Sequence, residues 1–115
     1  MKIAIVGSRE FKDRQLVHDL ILDIIRFDGW TLISGGANGV DSWAEDIADT
    51  MGWKKMIIKP DWQKYGKRAG AIRNQQIIDV ADRVVAFWDG KSKGTKITID
   101  MAIKAGKPVD IYIRN

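Results

Sequence analysis

The chain has 115 residues, 45% of them apolar and 30% charged, with two prolines and no cysteine. That is enough for one domain, and the balance excludes disordered and collagen-like chains, disulfide frameworks and thiolate metal sites. A net charge of +4 hides an asymmetry: residues 1–57 carry seven Lys/Arg and nine Asp/Glu, and residues 58–115 carry twelve and six, so an anionic partner is expected to meet the second half.

Lys2–Val6 is a short apolar run ended by Gly7 and reads as a buried strand. It is too short for a secretory leader, and no segment approaches the ~18 apolar residues of a membrane span, so a cytoplasmic location is expected. From Asp13, an N-cap, the period changes. Val17, Leu20, Ile21, Ile24 and Ile25 form one helical stripe, stopped by Asp28-Gly29. Trp30–Ser34 is a second strand. Val40, Ala44, Ile47, Ala48 and Met51 form a second stripe, stopped at Gly52. Lys54–Lys59 is a third strand, ended by Pro60, and residues 61–69 read as a polar, aromatic loop. A third helix is expected from about Gly70 to Val80, burying Ile72, Ile77 and Val80. Arg83–Trp88 is a fourth strand. Thr95 is expected to cap a fourth helix with Ile99, Ala102 and Ile103 inward, and Val109–Ile113 is a fifth strand. Such alternation predicts a single α/β domain over residues 1–115, one five-stranded parallel sheet covered by helices on both faces, for which the expected strand order is 3-2-1-4-5.

In an open parallel sheet, ligands bind beyond the carboxyl ends of the strands. Four segments meet there. Gly7 permits a sharp turn, and Ser8 and Arg9 can donate to an anion or a sugar hydroxyl. Ser34-Gly35-Gly36-Ala37-Asn38-Gly39-Val40-Asp41 joins a strand to a helix, with small residues that let backbone N–H groups approach a ligand. It has neither the Lys-Ser/Thr of an NTPase P-loop nor GxGxxG spacing. Asp41 is a candidate ligand contact or simply a carboxylate favoured by the helix dipole. In the third segment Trp62 and Tyr65 can stack on a base, while Lys64, Lys67, Arg68 and Arg73 can meet phosphate. Asp89–Thr95 is a second Gly-rich strand-to-helix junction, and Trp88 precedes it. His18, the single histidine, has no partner motif and reads as a helix-surface residue.

Taken together, Gly7-Ser8-Arg9, Ser34-Gly35-Gly36-Ala37-x-Gly39-Val40-Asp41-x-x-Ala44-Glu45, Asp61-Trp62-x-x-Tyr65-Gly66, Ala69-Gly70 with Arg73-Asn74, and Phe87-Trp88-Asp89-Gly90-x-Ser92-x-Gly94-Thr95 resemble the YspA, cpYpsA-related branch of the SLOG superfamily. That resemblance covers nearly the whole chain. It implies a Rossmann-like fold, a nucleotide-derived ligand and a homodimer or higher oligomer. The superfamily includes the Lonely Guy phosphoribohydrolases, the DNA-processing protein DprA and sensors of signalling nucleotides. The Lonely Guy signature Gly-Gly-x-Gly-Thr-x-x-Glu is incomplete here: alignment on Gly94-Thr95 puts Thr98 where the glutamate would stand, and a hydroxyl cannot replace that acid.

The expected function is therefore binding of a nucleotide-derived small molecule, as a sensor or sequestering protein, without metal or cofactor. The Gly35–Gly39 loop would hold phosphate. Ser8, Arg9, Arg68 and Arg73 would donate, and Asp41, Asn74 or Asp89 would take sugar or base edges. Ser34, Gly36, Ala37, Trp88, Gly94 and Thr95 complete the candidate set. Two alternatives stand beside it. One is hydrolysis of a nucleotide or ADP-ribose derivative, with Asp41, Glu45 and Asp89 as candidate acids. The other is single-stranded nucleic-acid binding.

Overall fold

The computed structural model describes residues 1–25 and 29–114. Strand β1 spans Lys2–Gly7, and its residues alternate in direction as a pleated strand requires. Ile3 and Ile5 enter one core, Ala4 and Val6 the other, and all four are buried. Helix α1, Arg14–Ile24, starts where Asp13 accepts a hydrogen bond from the Leu16 N–H at 3.0 Å. Strand β2, Thr31–Ser34, leads to α2, Val40–Met51, which stops at Gly52 in the left-handed region. After β3, Lys54–Ile57, come a one-turn helix α3, Trp62–Tyr65, and a 3-10 turn, Gly66–Arg68. Helix α4, Ala69–Val80, strand β4, Arg83–Trp88, helix α5, Lys93–Lys104, and strand β5, Val109–Ile113, complete the chain.

The sheet is parallel throughout, with order β3-β2-β1-β4-β5. This is the order expected from the sequence. On one face Val17 and Ile21 of α1 and Val40, Ala44 and Ile47 of α2 cover Ile3, Ile5, Leu32, Val85 and Phe87. On the other, Ile77 and Ile78 of α4 and Ile99 and Ala102 of α5 cover Ala4, Val6, Ile33, Val84 and Ala86. Each fully buried isoleucine or phenylalanine contributes about 2 kcal/mol relative to exposure. The chain adds β2 and β3 on one side of β1, then crosses to the other side for β4 and β5. The strand order thus reverses between β1 and β4, which opens a crevice at their carboxyl ends. Among the described residues no helix is long and apolar enough to cross a membrane.

Several local expectations need correction. The segment read as a loop over 61–69 is helical, because the Asp61 carboxylate accepts from the Lys64 N–H at 3.1 Å and nucleates a turn. Ser92, not Thr95, caps α5; Thr95 is buried inside its first turn. Met51, Val80 and Ile103 are exposed rather than inward. Each lies in the last turn of its helix on the side turned away from the sheet, while Ala48, Ile77, Ile78 and Ala102 of the same turns are buried against it. Ile78 takes the core position assigned to Val80. Helix α1 ends at Ile24, with Ile25 as its C-cap, ahead of the expected stop, where Asp28 lies outside the described residues. Strand β2 starts at Thr31 and β3 ends at Ile57, both shorter than expected.

Candidate functional site

Two strand-to-helix junctions face each other across the crevice. The first joins β2 to α2. Gly7 sits beneath it, and a Cβ there would lie 2.6–2.7 Å from three Val40 side-chain carbons, so only glycine lets α2 start against β1. Ser34 Oγ donates to Glu45 Oε2 at 2.6 Å and accepts from the Gly36 N–H at 3.2 Å. Gly39 is the N-cap residue, with φ 78° and no side-chain cap hydrogen bond. The Ala37 N–H instead reaches Asp41 Oδ2 at 3.2 Å. Arg73 crosses from α4 and donates through Nη1 to the Gly35 carbonyl and through Nε to Asn74 Oδ1 at 2.7 Å.

These contacts set the charges. Burial pushes the Asp41 carboxyl up to about 6, against the pull of the Ala37 N–H and the Arg73 guanidinium, while Glu45 adds to the rise. Burial also lowers the Arg73 pKa; nearby Asp41 opposes that shift and Arg9 reinforces it. A Cβ on Gly35 would lie 2.7 Å from Arg73 Nη1 and 3.0 Å from Asp41 Oδ2, so the missing side chain lets both groups close on the backbone.

The second junction joins β4 to α5 and is satisfied internally. Asp89 Oδ1 accepts from the Ser92 N–H at 2.7 Å and the Lys91 N–H at 2.8 Å. Those two bonds, Ser92 first, hold its carboxyl below the usual carboxylate range. Ser92 Oγ accepts from the Thr95 N–H at 3.4 Å, and Thr98 Oγ1 donates to the Gly94 carbonyl at 3.0 Å. Ser8 lies under this junction, almost wholly buried. Its Oγ shares a hydrogen bond with Thr95 Oγ1 at 3.2 Å and accepts from the Asp89 N–H at 3.2 Å.

Between the junctions lies a cavity of about 410 Å³. Its walls include Gly7 at the end of β1 and Arg9 after it, Gly35, Ala37 and Asp41 after β2, and Arg73 and Asn74 on α4. Asp89, Gly94 and Thr95 close it after β4. Ten of the residues expected at the site thus meet in one place. Six do not line it. Ser8 is the buried brace just described; Ser34 and Gly36 turn the backbone behind the wall, and Gly39 starts α2 against the Arg9 backbone. Arg68 is exposed in the 3-10 turn. Trp88 is half-buried and donates through Nε1 to the Ser92 carbonyl at 3.0 Å, so it braces the loop. Glu45 is likewise absent from the lining. The cavity also has walls from Val6, Glu10, Ile77, Ser92 and Thr98, which were not assigned to it. Val6 and Ile77 read as plain core, but Ser92, three residues before Thr95, carried the spacing of a helix cap.

The lining sets two cations, Arg9 and Arg73, against three carboxylates, Glu10, Asp41 and Asp89. Such a wall can pair one anionic group and still offer acceptors to hydroxyls. Among the described residues no three His, Cys, Asp or Glu side chains converge as a metal site.

The sequence profile of the YspA, cpYpsA-related SLOG family matches residues 1–65, from β1 through the first junction to α3. The chain belongs to that family. This SLOG protein is 36% identical over 120 residues to the Gene 61 protein of Mycobacterium phage D29, covering 94% of this chain and 93% of that one. Its fold is similar to those of two DNA processing protein A structures. The Helicobacter pylori protein, described with a single-stranded DNA binding mode, superposes with TM-score 0.78 at 23% identity over 96% of this chain. The Streptococcus pneumoniae protein (DprA) gives 0.79 at 22% identity over 96% of this chain. The SLOG chain spans 64% and 49% of those two proteins, respectively.

Proposed function

We propose that this protein binds a nucleotide-derived small molecule in the cavity between the two junctions, as a sensor or a sequestering protein. The observation that carries the reading is the mixed lining: two arginines and three carboxylates beside two helix N-termini. A phosphate is placed at the α5 end, where the first turn holds no acid and the Asp89 carboxylate is already engaged by the Lys91 and Ser92 N–H groups, rather than at the α2 end, where Asp41 occupies the first turn. Asp41 and Asn74 then face the sugar hydroxyls, and Arg73 or Arg9 neutralises the remaining charge. Of the two anion cradles expected, the Gly35–Gly39 loop and the one closed by Gly94 and Thr95, the second is favoured, because the buried Asp41 carboxylate repels an anion at close range.

Single-stranded DNA binding, suggested by the Helicobacter pylori protein, fits this lining less well, since three carboxylates oppose a polyanion. A hydrolytic reading has one specific support. Asp41, raised to about 6, is tuned for proton transfer near neutral pH. Asp89, held ionised by two N–H donors, suits a general acid poorly.

The test is a thermal-shift and native mass-spectrometry screen of freshly purified protein. The panel holds nucleotides, cyclic dinucleotides, ADP-ribose, NAD and a short single-stranded oligonucleotide. A shift of several degrees with an intact small molecule bound is the expected result. A bound species with the mass of a cleavage product, abolished in Asp41→Asn, supports hydrolysis instead. A response to the oligonucleotide alone, lost in moderate salt, overturns the small-molecule reading.

A further inference from the structure

Trp62 stands apart from the other tryptophans. Trp30, Trp43, Trp53 and Trp88 are half-buried, whereas Trp62 is 57% exposed. Its backbone is well anchored. Asp61 caps its turn, the Gly66 N–H donates back to the Trp62 carbonyl, and the 3-10 turn runs directly into α4. The ring rests on that helix: a Cβ built on Gly70 would lie 3.8 Å from Trp62 Cη2 and would meet nothing else within 4 Å. Gly70 and Asn74 are one turn apart on the same helix face, about 6 Å along the axis. Asn74 and its neighbour Arg73 form the cavity wall. The indole therefore stands one turn above that wall, beside an open shelf left by the absent side chain of Gly70.

The cavity lacks what Trp62 offers. Among the described residues its lining holds no aromatic ring. Its arginines, hydroxyls and carboxylates match phosphate and sugar but give a flat heteroaromatic base no π-face. Tyr65, the other aromatic of this segment, has the Lys64 ammonium 5.1 Å from its ring centroid. Trp88 spends its indole N–H on the Ser92 carbonyl and is half-buried. Leaving a large apolar ring in water on an otherwise ordered turn is unfavourable, and a stacked base would remove it from water.

We propose that Trp62 is the base-stacking residue of this site, holding the nucleobase of a ligand whose sugar and phosphate occupy the cavity. The proposal rests on the small-molecule reading above. It names the ligand class more narrowly, as a nucleotide that carries its base rather than a bare sugar phosphate.

Adenosine 5′-monophosphate and ribose 5-phosphate serve as probes, titrated by calorimetry into the wild type, Trp62→Ala and Trp62→Phe. Wild type binds the nucleotide more tightly than the sugar phosphate. Trp62→Ala weakens the nucleotide about tenfold and leaves ribose 5-phosphate unchanged, and Trp62→Phe restores most of the loss. Equal weakening of both probes marks a merely structural role and overturns the proposal. So does unchanged nucleotide binding in Trp62→Ala, which leaves the small-molecule reading intact. Absence of binding by both probes to wild type, with a single-stranded oligonucleotide binding instead, overturns both readings together.

Discussion

The two junctions that flank the cavity solve the same problem in opposite ways. Each must start a helix at the carboxyl end of a strand, with N–H groups of its first turn lacking partners in the helix. At β4–α5 the sequence supplies the partners: Ser92 caps, Asp89 gathers two N–H groups, and Ser8 and Thr95 exchange a hydrogen bond beneath. At β2–α2 the cap is a glycine, and the acid that faces inward is buried to 7% exposure. One junction is at rest; the other holds a carboxylate at a pKa of about 6 beside a partly buried arginine. Perturbed groups of this kind gather where a ligand binds, so the contrast marks the β2–α2 wall as the part of the site whose charges a ligand alters and the β4–α5 wall as the part held ready.

The sharpest way to break this contrast is Gly39→Ala. The position has φ 78°, and a Cβ would lie 2.9 Å from the Arg9 carbonyl oxygen. The substitution is expected to cost about 3 kcal/mol and more than 10 °C in Tm by calorimetry. A loss below about 1 kcal/mol would mean that the first junction is not rigid.

Asp41→Asn follows, with the opposite sign. The folded-state pKa of about 6 exceeds the ordinary 3.8, so the folded protein binds this proton more tightly than the unfolded chain does. Below pH 3.8 both states are protonated and Asp41 costs nothing; as pH rises through about 6 the folded state must ionise a buried acid and loses stability. Denaturation in urea is expected to show Asp41→Asn more stable than wild type by about 2 kcal/mol at pH 8, with the difference vanishing by about pH 3. Asp89 has the reverse slope. Its depressed pKa adds stability above the usual carboxylate range and loses it as pH falls, so Asp89→Asn narrows its gap to wild type in acid.

Ser8→Ala sharpens the contrast from the other side. It removes a buried hydroxyl that serves both Thr95 and Asp89 and is expected to cost about 1–2 kcal/mol. Ligand affinity should change little per folded molecule, since Ser8 lies outside the lining. The smallest stability effect belongs to Gly94→Ala. A Cβ there meets nothing within 4 Å, so stability should stay within about 0.5 kcal/mol of wild type. A fall in nucleotide affinity in this variant would show that the ligand approaches the α5 backbone closely.

The alternation of strands and helices was legible because each apolar run was short and each helical stripe ran ten or so residues. The bounds of β4 and β5 coincide with those expected. The α3 turn was illegible for the opposite reason. Four residues, Trp-Gln-Lys-Tyr, are too few to show a period, and their stability comes from the Asp61 cap and the contact with Gly70. In the site, residue type identified the loops but not the direction of side chains. Ser8 and Thr95 both carry hydroxyls at a loop; one became a buried brace and the other a wall. The separation of Asp41 from Asp89 was equally hidden, because burial and two N–H donors, rather than residue identity, set their pKa values apart.

The central place of β1 has a consequence for how the protein is made. Ile3 aligns with Leu32 on one side and with Arg83 on the other, so half of its pairing waits for residues some 80 positions downstream. Closing so long a loop before any reward makes folding slow, and it leaves the β1 edge unpaired while the chain leaves the ribosome. The cavity, which needs Gly7 from the first strand and Thr98 from the last helix, is therefore among the final features to form. A nascent chain interrupted before β4 has no site at all, only a sticky strand edge for a chaperone to shield.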